Sequence, residues 1–130
     1  MTPPISSRPL RLIVNADDYA FTPGISRGIR ELLSTRRISA TSVMAASQYW
    51  PQEAAALKAV AGDADIGLHL TLTDHNPIGA MATFAPSGRF PALMPLLKGA
   101  LLRNVPLSEI DAEIDFAALF PAIAEGPVVV

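Results

Sequence analysis

The sequence contains no cysteine. That excludes a disulfide framework and a thiolate metal centre. Aromatic residues are scarce, at 6% of the chain with a single Trp, so stacking platforms for bases or sugars have few candidates. Charge is sparse and nearly balanced, with 10 basic and 12 acidic side chains and a net charge of −2. No basic stripe appears, and nucleic acid is not an expected partner. No uninterrupted apolar run approaches the ~20 residues of a membrane span. The opening MTPPISSRPL has no long apolar stretch, so no signal peptide is expected. Together with the absence of cysteine, this agrees with a cytoplasmic location.

Half of the residues are hydrophobic, enough to build a core within 130 residues. The length suits one domain or part of a larger one. Residues 1–9 read as a flexible leader and 10–130 as the domain. Leu10–Asn15 (LRLIVN) predicts a short buried strand. Thr22-Pro23 offers an N-cap and a first-turn proline. Ile25, Ile29, Leu32 and Leu33 then repeat at helical spacing to about Arg36. Ile38–Ala45 predicts a second strand. Pro51–Ala61 predicts a second helix closed by Gly62, and Asp65–Leu72 a third strand. This alternation is that of a parallel α/β sheet with crossover helices.

Farther on, Pro86, Pro91, Pro95 and Pro106 break residues 76–106 into loops. Thr83–Phe90 reads as a turn or short hairpin, and Pro91–Arg103 as a helix. Ser108 reads as the cap of a further helix, with Asp111 as its acidic partner and Gly126 at its end. Pro127-Val128-Val129-Val130 resembles the start of a fourth buried strand.

Asp17 and Asp18 directly follow the first predicted strand, and His69 lies near the end of the third. Sites in parallel α/β folds are built at the carboxyl ends of strands. Two carboxylates and an imidazole gathered there suit a divalent cation, with one carboxylate free for proton transfer. A second reading is equally open: a turn-and-capping Asp pair and a core histidine. His75, in the DHNP stretch, reads as a solvated loop residue. Tyr49-Trp50 reads as a hydrophobic staple or a sugar-stacking pair. Arg36-Arg37 reads as compensation of a helix dipole. Gly67 reads as a place of close approach or a strand interruption.

Three segments resemble a known family when taken in order. They are Asn15-Ala16-Asp17-Asp18-Tyr19, Ala40-Thr41-Ser42-Val43-Met44 and Gly67-Leu68-His69-Leu70-Thr71-Leu72. Pro77-Ile78 and Ser87-Gly88-Arg89-Phe90 add to the likeness. The pattern resembles the YdjC-like (ChbG/HpnK) carbohydrate deacetylases over roughly residues 10–125. The resemblance implies parallel βα units of a TIM-barrel-like (NodB/YdjC-type) deacetylase fold. It also implies hydrolysis of an N-acetyl group on a chitooligosaccharide-like or hopanoid-linked amino sugar. By the same resemblance Asp17 is the base, and Asp18 and His69 hold a divalent metal ion, Mg²⁺ or Zn²⁺.

The sequence departs from the family pattern in three places. Tyr19 and Ala20 stand where Phe or Leu and a turn glycine are usual. The strand carrying an H-x-H motif, which supplies the third ligand, has no counterpart before Val130. The expectation is therefore an incomplete barrel, truncated to the N-terminal half, with weak metal affinity and exposed apolar faces that favour a homo-oligomer. The general acid is not identified. The alternative is a non-catalytic α/β module that binds a carbohydrate or a partner protein. A hydrolase of another small amide or ester is a further alternative.

Overall fold

Three short strands and four helices follow one another through residues 11–118, the part of the chain that the computed structural model describes. The order is β1 (Asn15–Tyr19), α1 (Pro23–Ser34), β2 (Ala40–Val43), α2 (Trp50–Ala61), β3 (Asp65–Leu68), α3 (Leu93–Leu101) and α4 (Leu107–Ala118). The strands form one parallel sheet in the order β1-β2-β3. This is the expected α/β architecture of consecutive parallel βα units.

Helix α1 begins where its sequence signals it. The Thr22 hydroxyl accepts from Ile25 N at 3.3 Å, and Pro23 occupies the first turn, where its missing N–H costs nothing. Helix α1 ends in a Schellman arrangement, with Arg37 N bonded to Leu32 O at 2.8 Å and Arg36 N to Leu33 O at 2.9 Å. Arg36 takes the left-handed conformation there (φ 54°), so its part is to close the helix rather than to balance a dipole within it.

Helices α1 and α2 cover one face of the sheet. Ile29 and Leu33 of α1 and Trp50, Ala54 and Leu57 of α2 are buried against Tyr19 and Val43. A smaller apolar cluster of Met81, Ala85 and Phe90 lies under the later loops. Leu93, Met94, Leu97 and Leu101 remain exposed on α3, which buries no residue.

Several boundaries differ from the sequence reading. The first strand is Asn15–Tyr19, not Leu10–Asn15; Leu12 and Ile13 are 78% and 79% exposed. Sheet pairing begins only at Val14, whose carbonyl accepts from Ser39 N and Ala40 N. An apolar run without a neighbouring strand does not become part of the ladder. The second and third strands are shorter than expected. β2 ends at Val43 and β3 at Leu68, and the last ladder bond runs from His69 N to Val43 O at 2.8 Å.

Thr83–Phe90 forms turns without a strand. Ser108 does not cap α4, because the helix already includes Leu107, and Glu109 N and Ile110 N both bond to Pro106 O. The leader, Gly126 and the Pro127–Val130 strand start lie outside the described residues.

Candidate active site

The site begins with an irregularity in β1. Asn15 pairs with Ala40, Ala16 with Thr41 and Tyr19 with Val43. Three residue steps on β1 thus match two on β2, so Asp17 and Asp18 together stand opposite Ser42. This is a β-bulge, which leaves one residue unpaired and re-aims side chains. Asp18 adopts φ 68°, a left-handed conformation that Asp tolerates better than most residues. Strict alternation would send adjacent side chains to opposite faces. The bulge instead lets both carboxylates reach one cluster, while Tyr19 returns to the helix-covered face with no exposed surface.

The neighbouring strands complete the cluster. Ser42 lies between the buried Thr41 and Val43 and faces away from the helices. Its hydroxyl donates to Asp17 Oδ1 at 2.6 Å, and Asn15 Nδ2 donates to the same oxygen at 2.6 Å. Ser42 Oγ also lies 3.3 Å from His69 Nδ1. His69 Nδ1 is 3.6 Å from Asp18 Oδ1. In register with Ser42, β3 offers Gly67, which leaves that layer free of a side chain. The structure therefore brings together all three residues expected from the sequence. His69 stands just beyond β3 rather than inside it. Its side chain is 32% exposed and that of Asp18 is 51% exposed, so solvent and a ligand both have access.

Behind the cluster, the chain is tightly fastened. Ala20 has φ 70°, the left-handed turn for which a glycine is the usual solution. Ala20 N donates to the fully buried Ser26 hydroxyl at 3.1 Å, and the Ser47 hydroxyl donates to Ala20 O. Tyr19 anchors the strand end. Its hydroxyl donates to Glu53 O at 2.9 Å and accepts from Arg30 at 2.8 Å, and Arg30 is ion-paired with Glu53. Burial pushes the Tyr19 phenol above its ordinary range, partly offset by the Arg30 hydrogen bond.

Other sequence candidates fall elsewhere. His75 bonds Thr73 O at 3.2 Å and packs on the Phe21 ring. Trp50 is 1% exposed and meets Tyr19 edge-on, with ring centroids 6.5 Å apart. It is a core residue, neither a staple outside the helix nor a sugar platform. Among the described residues, no group of three or more His, Cys, Asp or Glu side chains is placed to hold a metal ion. The fit is to a two-ligand partial site. A carboxylate oxygen and an imidazole nitrogen at 3.6 Å are too far apart for a hydrogen bond. They are close to the roughly 3.4 Å that separates two ligands sharing a tetrahedral cation at ~2.1 Å.

Two contributions were not visible beforehand. The sequence places Ser42 in a strand and in one of the family-like segments, but gives it no part in the site. Glu113, at 3% exposure, receives Ile78 N at 2.7 Å and Gly79 N at 2.9 Å. One turn earlier on α4, Glu109 receives Phe84 N at 2.8 Å and Thr83 N at 3.0 Å. The two glutamates hold the loop that follows His69, and Ile78, Glu113 and His69 line one small open pocket.

Comparison with known proteins bears on this geometry. The family model described as "YdjC-like protein" matches residues 11–116. A carbohydrate deacetylase of Thermoanaerobacter pseudethanolicus is 31% identical over 107 residues, covering 80% of this chain and 39% of the relative. One from Listeria monocytogenes serotype 4a is 31% identical, covering 81% of this chain and 43% of the relative. The crystal structure of an Enterococcus faecalis V583 protein named for cellobiose-phosphate cleavage superposes with a TM-score of 0.66 at 25% identity. It covers 85% of this chain and 42% of that one. The chain thus spans about two fifths of the length of the relatives it matches. With the family model matching most of the chain and the strand order in place, the chain belongs to the YdjC-like family.

Proposed function

We propose that this chain carries part of the site of a divalent-cation-dependent hydrolase that removes an N-acetyl group from a carbohydrate. The observation that carries the reading is the convergence of Asp17, Asp18 and His69 at the carboxyl edge of the sheet. The carbohydrate deacetylases among the relatives, and the structural relative named for a phosphorylated disaccharide, supply the substrate class.

Asp18 and His69 are the two residues that would hold the cation, Mg²⁺ or Zn²⁺. When bound, the cation would polarise the acetyl carbonyl and acidify a water molecule. Asp17 is the proton acceptor. Both of its hydrogen bonds fall on Oδ1, which leaves Oδ2 to accept a proton as a general base. His69 is held at its backbone by the ladder bond to Val43, which fixes the approach of its ring. The products are acetate and a free amino sugar.

The test pairs calorimetric cation titration with acetate release from N-acetylated chitooligosaccharides in Mg²⁺ or Zn²⁺. D18N and H69A are expected to weaken cation binding tenfold or more, on the order seen when a ligand set is disturbed. D17N is expected to abolish acetate release. Absence of acetate both from the unaltered chain and from a full-length protein that contains it sinks the deacetylase assignment for these substrates. A second reading, a carbohydrate-binding module without turnover, is favoured by the two-ligand set among the described residues. Under it, D17N with H69A leaves carbohydrate binding intact.

A further inference from the structure

Two adjacent aspartates with the same chemistry are equally able to bind a cation. Something must make one a ligand and the other a base. The residues around them are not symmetric. Asp17 Oδ1 is occupied by two neutral donors, Asn15 Nδ2 and Ser42 Oγ, each at 2.6 Å. Asp18 Oδ1 instead faces His69 Nδ1 at 3.6 Å. We propose that Ser42 is a positioning residue that holds Asp17 off the cation, and so assigns the two carboxylates their separate roles. The inference rests on the cation-dependent reading of the site given above.

The chemistry of a hydroxyl supports this. Ser42 has one proton to give. At 2.6 Å that proton goes to the carboxylate, a short charge-assisted bond. Toward His69 Nδ1, 3.3 Å away, Ser42 then presents only a lone pair. Ser42 therefore draws Asp17 toward the β2 side and leaves the imidazole to Asp18. Asn15 adds a second donor from two residues earlier on β1, but it sits on the same strand as the bulge. Ser42 comes from the central strand, between two buried neighbours and with β3 paired on its other edge, so it is the fixed partner of the two.

Zn²⁺ titration of the chain and its variants by calorimetry reads this directly, and acetate release gives an independent second readout. D17N is expected to bind Zn²⁺ within twofold of the unaltered chain. S42A frees Asp17 to join the cation, so its affinity is expected to rise about tenfold, the scale of changes in groups supporting a ligand set. The double variant S42A with D17N loses that gain. S42T keeps a hydroxyl and is expected to behave as the unaltered chain does, which separates positioning from a general disturbance of β2.

In the activity arm, S42A lowers kcat about tenfold or more with KM unchanged, and S42T restores it. Equal affinity of S42A and the unaltered chain overturns the proposal, as does a D17N loss as large as that of D18N. If the chain takes up no Zn²⁺, the positioning role and the cation site fall together. If the titrations follow expectation and neither this chain nor a full-length protein that contains it releases acetate, the deacetylase reading fails while the positioning role stands. If acetate is released and S42A releases it as fast as the unaltered chain, the positioning role fails while the deacetylase reading stands.

Discussion

Replacing Glu113 by alanine tests how the loop beside His69 is held. Glu113 is 3% exposed, and its carboxylate accepts from Ile78 N and Gly79 N at 2.7 and 2.9 Å. Hydrogen bonds to a charged group are each worth about 1.5–3 kcal/mol. Both amides belong to half-buried residues, so water recovers part of that loss. A net cost of about 2–4 kcal/mol remains, large against the 5–15 kcal/mol that stabilises a typical domain. The loss is local, because the two amides are neighbours in one loop. Their hydrogen exchange is expected to accelerate about 30- to 700-fold, by the usual 1.4 kcal/mol per decade. Glu113→Gln retains one acceptor oxygen but turns an N–H toward the other amide, and it should fall between the two. The measurement is amide exchange by NMR with urea unfolding alongside. Unchanged exchange at Ile78 and Gly79, with lowered global stability, refutes the clamp and makes Glu113 an ordinary buried residue.

Other features give further expected outcomes. Ala20→Gly relieves a left-handed alanine that costs about 1–2 kcal/mol, less the 0.5–1 kcal/mol that glycine loses in chain entropy. A higher urea midpoint is expected; a lower one means that the Ser26 and Ser47 bonds depend on the methyl group. Tyr19→Phe strips a hydroxyl from Arg30 and from the Glu53 carbonyl, and should cost about 1–3 kcal/mol in thermal unfolding. The Phe84 amide bond, with that of Thr83, holds the Glu109 carboxyl below its ordinary range. Its stabilising effect is therefore complete above the unfolded value of about 4.3 and is lost as pH falls through the lower folded value. Glu109→Gln should remove that part of the acid-side slope of melting temperature against pH, and an unchanged slope argues against the bond.

Local signals carried much of the architecture. Thr22-Pro23 marked the start of α1, Gly62 the end of α2, and the order of strands and helices the parallel sheet. These features depend on residues close in sequence. The first strand was misplaced because its apolar stretch lies before the pairing begins and its polar stretch lies inside it. A bulge has no alternation to read. The glutamates of α4 were missed for a related reason. Their partners are backbone amides 25–35 residues earlier, and any residue type supplies an amide. Asp17, Asp18 and His69 were legible as candidates because only a few residue types can bind a cation or move a proton. The place of Ser42 was not, because it arises from register: Ser42 pairs across from the doubled aspartates and alongside Gly67.

The bulge also has a consequence of parity. A regular strand allows one outward residue between two that face the core. Ala16 packs against the core cluster, Tyr19 is part of it, and between them stand two residues. Deleting either aspartate restores the regular count and leaves Tyr19 in the same slot beside Val43. The core therefore registers only whether the number of residues between its two anchors is compatible, and is indifferent to their charge. By that count, a variant lacking one aspartate is expected to keep Tyr19 and the helices behind the sheet in place, and a large fall in its urea midpoint would refute this.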